Sequence, residues 1–227
     1  MKYAVYLEYM ITNLNISEQA LSLTEDQFTV LEDIKEEYQS GMAILNTLAG
    51  PRVTIYGGSL VSNSEDAYIS IKNTTESLAS RGWGVVSGGG PGIMTAALDG
   101  ARKGGGKAIA FCINIPGEPQ LSHPDVTMTF SQFSVRKYLL RQSDAFIFAP
   151  GGIGTLDELM EILTLIKTHK HPIKPIFLFD SAFWNGYMEW FKKILVLERH
   201  VVYTNIFDLF IIVDTPKEIV DRLTYEK

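Results

Sequence analysis

The stretch that most constrains the fold is Pro150-Gly151-Gly152-Ile153-Gly154-Thr155-Leu156-Asp157-Glu158. The run before it, Ala145-Phe146-Ile147-Phe148-Ala149, is short and wholly apolar, the pattern of a buried strand. After it Leu159, Ile162, Leu163 and Ile166 recur at helical spacing. The glycines therefore sit where a strand turns into a helix. They open backbone conformations closed to other residues and let a ligand come close to the main chain. The helix that follows directs its free N–H groups and the positive end of its dipole into the turn. Such a turn is an anion site, with phosphate the first candidate. The same residues also admit a plainer reading. Thr155-x-x-Glu158 fits a capping box, in which the two side chains only satisfy donors at the helix start.

The same strand–glycine–helix pattern occurs twice earlier. Residues 52–56 read as a strand ending in Gly57-Gly58-Ser59, and residues 83–87 as a strand running into Gly88-Gly89-Gly90-Pro91-Gly92. Further strands are expected over 107–113, 126–130, 175–179 and 210–213, with helices between them. Continuous apolar strands separated by amphipathic helices predict an α/β fold. The expected form is a doubly wound, Rossmann-like, mostly parallel sheet of about seven strands, with helices on both faces. In such sheets ligands bind beyond the carboxyl ends of the strands, where the strand order switches. The three glycine clusters all lie at strand carboxyl ends, so they can line one crevice.

Ahead of this domain, residues 1–23 carry no clear pattern. Thr24-x-x-Gln27 resembles a helix start, and Phe28, Leu31, Ile34, Tyr38, Met42 and Leu45 then recur at spacings of three and four. Pro51 closes this helix. The expected division is a helical extension over 1–50 and one nucleotide-binding domain over 51–227.

Composition narrows the function. A net charge of −6 argues against a nucleic-acid surface, which needs a basic face, but leaves room for a small anionic ligand. The single cysteine, Cys112, lies in an apolar run, which rules out an internal disulfide and a cysteine metal cluster. It reads as a buried, inert thiol. His123, His169, His171 and His200 lack ligand-like spacing, so no metal is expected. No apolar run is long enough to cross a bilayer, and the N-terminus lacks a signal-peptide pattern; the expected location is the cytoplasm. The familiar nucleotide motifs fail as well. G-x-G-x-x-G is broken by Ile93 in one cluster and by Asp157 in the other, and no G-x-x-x-x-G-K-[ST] is present.

Arg136 and Lys137 fall near the start of a helix predicted over 132–141. Positive charge there opposes the helix dipole and calls for compensation, which a bound phosphate would supply. Arg136 is the sharper candidate, because a guanidinium offers a planar fork to phosphate.

Taken together, Gly88-Gly89-Gly90-Pro91-Gly92-Ile93-Met94, Arg136-Lys137, and Ser143-Asp144-Ala145-Phe146-Ile147 leading into the PGGxGTxxE motif resemble the LOG family, long labelled "possible lysine decarboxylase". The resemblance covers about residues 50–225. It implies a phosphoribohydrolase that cleaves the N-glycosidic bond of nucleoside 5′-monophosphates, cytokinin riboside monophosphates included, to base and ribose 5-phosphate. Residue by residue it implies catalytic roles for Arg136 and Glu158. The 5′-phosphate would be held by the glycine-rich turns (Gly58, Ser59, Gly89, Gly90, Gly92, Met94, Gly151, Gly152 and Gly154) with Thr155 and Lys137. No cofactor is implied. Breaking the glycosidic bond builds positive charge on the ribose, which a fixed carboxylate can stabilise. Glu158, placed in the first helical turn, is expected to stay ionised in the dipole field.

Two other functions compete with the hydrolase. One is a module of the same fold that senses a nucleotide or carries a phosphorylated cofactor without cleaving it. The other is the decarboxylase of the family label, which would need pyridoxal phosphate on a lysine. A homodimer or larger homo-oligomer is also expected, from the resemblance and from the aromatic-rich segment Phe183, Trp184, Tyr187, Trp190 and Phe191.

Overall fold

The computed structural model describes residues 24–113 and 124–224. The chain divides into two compact units, Met1–Ser40 and Gly41–Lys227, and the division falls inside the first described helix. That helix, α1 (Glu25–Leu45), opens with the expected capping box. The Gln27 backbone N–H donates to Thr24 Oγ1 at 3.3 Å, and the Thr24 N–H donates to Gln27 Oε1 at 3.0 Å. The unassigned residues 1–23 lie outside the described residues.

The second unit is built on β1 (Arg52–Tyr56), α2 (Asp66–Ala79), β2 (Gly84–Ser87), α3 (Ile93–Lys103), β3 (Ala108–Ile113), β4 (Val126–Phe130), α4 (Phe133–Leu140), β5 (Ala145–Phe148), α5 (Ile153–Lys167), β6 (Ile176–Phe179), α6 (Ser181–Phe191), β7 (Ile211–Val213) and α7 (Pro216–Thr224). The strands form one seven-stranded sheet in the order β4-β3-β2-β1-β5-β6-β7. Every pairing is parallel. The first strand is therefore central: β2 follows it on one side and β5 lies on the other. This is the switch in strand order at which open α/β sheets bind ligands.

Alternate strand residues face opposite ways, so the sheet has two packed faces. On one, Val53, Ile55, Val85, Ala110, Ile147 and Phe177 join Ile71 and Leu78 of α2, Ala97 of α3 and Ile219 of α7 in a continuous core. On the other, Tyr56 stacks on Phe148 with centroids 4.6 Å apart, and Phe111 meets Phe130 edge-on at 5.3 Å. Helix α4 packs against β3 and β4.

Two details depart from the expected elements. The aromatic-rich helix, expected over 183–197, starts at Ser181, because Asp180 at φ 83° caps it by accepting from the N–H groups of Ala182 and Phe183. It also ends at Phe191 and runs on as a π-helical turn, Lys192–Glu198. Of its aromatics, Trp184 and Phe191 are buried, whereas Phe183 and Trp190 are exposed.

One buried polar contact ties the central strand to the helix that carries Arg136. The Thr54 hydroxyl, fully buried, donates to the Leu140 carbonyl at 2.6 Å and lies 2.7 Å from Ser143 Oγ. Because Thr54 has one hydroxyl proton to give, Ser143 donates to it. Replacing Thr54 by Val keeps the shape but strips the Leu140 carbonyl and the Ser143 hydroxyl of their partner. Thr54→Val is expected to cost about 1–3 kcal/mol of unfolding free energy. The melting temperature should fall by several degrees in a thermal scan; an unchanged transition would show that water replaces the lost partner.

Candidate functional site

Three turns meet at the carboxyl ends of β1, β2 and β5, and hydrogen bonds lock them together. The Gly58 N–H donates to the Pro150 carbonyl at 2.9 Å, and the Gly58 carbonyl accepts from the Ile93 N–H at 3.1 Å. Gly58 thus links the turn after β1 to both of the others. Between the turns lies a cleft of about 290 Å³, lined by Gly57, Gly58 and Ser59, by Gly88–Gly90, by Gly152, Gly154 and Thr155, and by Met94, Cys112, Ile113, Phe133, Arg136 and Glu158. No side chain caps the start of α5 or of α3, whose N-cap positions are Gly152 and Gly92. The uncapped N–H groups at the start of α5 therefore remain for an anion in the cleft. The capping-box reading of Thr155 and Glu158 does not hold, because α5 begins at Ile153 and both residues lie inside it.

Arg136 forms one wall. It is 8% exposed, and its Nε donates to the Phe111 carbonyl at 2.7 Å. Its Nη1 lies 3.5 Å from Glu158 Oε1. Gly88 makes room for it: a β-carbon there would overlap Arg136 Nη2 and Met94 Sδ. Glu158 of α5 supplies part of the compensation that its place near a helix start called for.

Lys137 does not join the cleft. Its Nζ lies 2.9 Å from Asp157 Oδ2 and 2.9 Å from Glu161 Oε2, and Arg141 Nη1 reaches Glu161 Oε1 at 2.7 Å. Lys137 braces α4 against α5, and it is not among the residues that line the cleft. Glu161 is the shared acid of that brace. Gly92 and Gly151 are also not among the lining residues. Gly92 has φ 66°, and a β-carbon on it would strike the Gly58 carbonyl; one on Gly151 would strike Thr155 Oγ1. Both serve the packing of the turns. The other expected residues (Gly58, Ser59, Gly89, Gly90, Met94, Arg136, Gly152, Gly154, Thr155 and Glu158) line one cleft. Phe133 and Ile113 line it too and were not expected. Phe133 lies one helical turn before Arg136, a spacing that puts both on one face of α4.

Glu158 departs from expectation in its charge. It stands in the second turn of α5, past the reach of the dipole field. Burial lifts its carboxyl from an ordinary 4.5 to about 7, and the Arg136 charge only partly offsets this. Burial also raises the Cys112 thiol, against the pull of Arg136, which suits an unreactive wall residue. Among the described residues no group of His, Cys, Asp or Glu could hold a metal ion, and no helix is long and apolar enough to cross a membrane.

The family described as "Possible lysine decarboxylase" matches residues 94–223. The chain belongs to the LOG family. A relative from Mycobacterium tuberculosis, named cytokinin riboside 5′-monophosphate phosphoribohydrolase, is 32% identical over 58% of this chain and 76% of its own length. A protein of the same name from Arabidopsis thaliana, LOG4, is 36% identical over 37% of this chain and 39% of its own length. A solved structure, the molybdenum cofactor binding protein from Rippkaea orientalis, superposes with a TM-score of 0.57 at 20% identity, covering 78% of this chain and 98% of that one. The molybdenum cofactor carrier protein from Chlamydomonas reinhardtii gives 0.55 at 18% identity, covering 78% and 98%. At such identities these structures show a shared fold.

The raised Glu158 carboxyl makes a testable statement about stability. The folded chain holds this proton up to about pH 7, whereas the unfolded chain releases it near 4.5. Between those values the folded state binds more protons, so burying Glu158 costs stability as pH rises, with the full cost present above pH 7. Glu158→Gln is neutral throughout. Its unfolding free energy relative to wild type should rise from pH 5 to pH 8, by up to about 3 kcal/mol. Paired denaturation curves across that range check this, and a pH-independent difference would mean that Glu158 titrates normally.

Proposed function

We propose that the chain hydrolyses the N-glycosidic bond of nucleoside 5′-monophosphates, releasing free base and ribose 5-phosphate. The observation that carries this reading is a buried Arg136–Glu158 pair standing beside uncapped, glycine-lined helix starts at the switch point of the sheet. The name that the relatives carry, cytokinin riboside 5′-monophosphate phosphoribohydrolase, supports the same reaction.

In this reading the phosphate binds against the N–H groups of the glycine turns, with Thr155 and Arg136 beside it. The bond from the ribose C1′ to the base nitrogen breaks with its electron pair going to the base. The developing cation on the ribose faces the Glu158 carboxylate. Water adds its oxygen to C1′; one of its protons passes to Glu158 and from there, or through water, to the departing base. A carboxyl that titrates near the working pH is suited to take up and release that proton. A site built only to hold phosphate has no use for this carboxylate, which favours the hydrolase over a binding module. The decarboxylase label finds little support at Lys137, whose amine is engaged by Asp157 and Glu161.

The decisive measurement is release of adenine from AMP, with adenosine as control. AMP should be cleaved far better, because a site arranged for phosphate leaves its N–H groups unpaired without one. Glu158→Gln should bind AMP, stay folded and lose kcat by on the order of 10²-fold. In wild type, kcat/KM should rise with pH up to about 7 and flatten above it, the profile of a group that works as its carboxylate. Binding of AMP with no turnover would leave the non-catalytic module; equal turnover of adenosine and AMP would remove the phosphate site.

The same reading includes a cytoplasmic homodimer or larger homo-oligomer, to which the exposed Phe183 and Trp190 offer apolar surface. Light scattering at micromolar concentration should return a multiple of the chain's 25.3 kDa, and a monomeric mass would discard this part.

A further inference from the structure

The cleft combines two kinds of lining. Glycine turns and helix starts present backbone N–H groups, and Met94 from α3, Cys112 and Ile113 from the end of β3, and Phe133 from the first turn of α4 add apolar surface. Met94 and Cys112 lie against Gly88 and Gly89, away from the turn that starts α5. Arg136 lies one helical turn beyond Phe133 on α4, and Glu158 faces Arg136 from α5.

Phe133 itself needs an explanation. A phenylalanine at the first position of a helix, lining the cleft and 56% exposed, forfeits much of the free energy its ring would gain by burial. Its neighbours on α4 behave differently: Val135, Leu139 and Leu140 are buried against the sheet. Phe133 makes no ring–ring contact among the described residues. An exposed aromatic ring lining a cleft that also holds an uncapped helix start suited to phosphate is placed to receive a second aromatic ring.

We propose that Phe133 is the stacking platform for the nucleobase and that Met94, Cys112 and Ile113 close the base subsite behind it. This inference rests on the nucleotide reading above and adds the residue that holds the base. The ligand spans the cleft with its phosphate at the start of α5, its ribose over the Arg136–Glu158 pair, and its base against the Phe133 ring. Stacking depends on ring area, so a purine gains more than a pyrimidine from the same platform. Phe133 therefore sets the preference for the larger base and acts mainly on binding, whereas Glu158 acts on the chemical step.

The test compares wild type, Phe133→Ala and Phe133→Tyr, reading both AMP cleavage and the binding of AMP and ribose 5-phosphate by calorimetry. Phe133→Ala should raise the KM and the dissociation constant for AMP by about tenfold, the range of one lost base–aromatic stack. Its kcat should change by less than about threefold, and ribose 5-phosphate should bind as in wild type, because that ligand has no base. The preference for AMP over UMP should shrink in the same variant, and Phe133→Tyr should restore it. Unchanged AMP affinity in Phe133→Ala would overturn the proposal while leaving the hydrolase intact. Equal weakening of AMP and ribose 5-phosphate would overturn it too, since it would mean that the helix start had been disturbed. If wild type binds AMP without cleaving it, the hydrolase falls, and the affinity comparison still decides the role of Phe133. If AMP does not bind, both fall.

Discussion

A guanidinium that is 8% exposed must be compensated from more than one side, and the architecture of the cleft follows from how Arg136 is held. Its Nε donates to the Phe111 carbonyl within the sheet, and its Nη1 faces Glu158 at 3.5 Å. Neither contact is sufficient alone. A carbonyl offers a dipole without charge, and the carboxyl titrates near neutrality. The pair is held in place by its surroundings. Lys137 on α4 and Arg141 at its C-cap grip Asp157 and Glu161 on α5, bracing the two helices on which Arg136 and Glu158 stand. Lys137, Arg141 and Glu161 are half-buried in this brace and Asp157 is exposed, and together the pairs set a register between the two helices.

The glycines divide into those that admit a ligand and those that admit the protein itself. At Gly88 the missing β-carbon is the space taken by Arg136 and Met94. At Gly92 a positive φ turns the chain sharply enough for Ile93 to donate to Gly58. Gly152 and Gly154 have open space where a β-carbon would sit, and both line the cleft. A glycine-rich turn can therefore look the same in sequence whether its purpose is packing or access.

That ambiguity marks where sequence reading reached and where it stopped. The alternation of apolar strands with helices was legible because fully buried parallel strands carry a strong local signal. The crevice was legible too, because glycine at the ends of β1, β2 and β5 is a local feature and the fold class brings those ends together. The direction of Lys137 was not. It depends on Asp157 and Glu161, on a helix that a linear reading cannot orient against α4. The charge state of Glu158 was misread for a similar reason. Its position relative to the helix start is local, whereas its burial beside Arg136 is a property of the assembled cleft. Phe133 was passed over because an aromatic residue in an amphipathic helix reads as core, and only its exposure in the fold separates it from Val135 and Leu139.

The raised carboxyl of Glu158 bears on what kind of site this is. Moving a carboxyl from 4.5 to about 7 withholds on the order of 3 kcal/mol of stability at neutral pH, a large fraction of what a domain has to spare. Glutamine at this position would keep the helix and a hydrogen bond to Arg136 without that cost, and would serve phosphate binding as well or better, since it adds no negative charge beside the anion. A carboxyl is favoured over an amide here only if its ability to carry charge or exchange a proton is used. In the proposed hydrolysis, the positive charge that develops on the ribose as the bond to the base breaks would favour the Glu158 carboxylate, the form that burial makes costly in the ground state. The stability withheld at neutral pH would then be recovered in the transition state, as catalysis by differential binding requires.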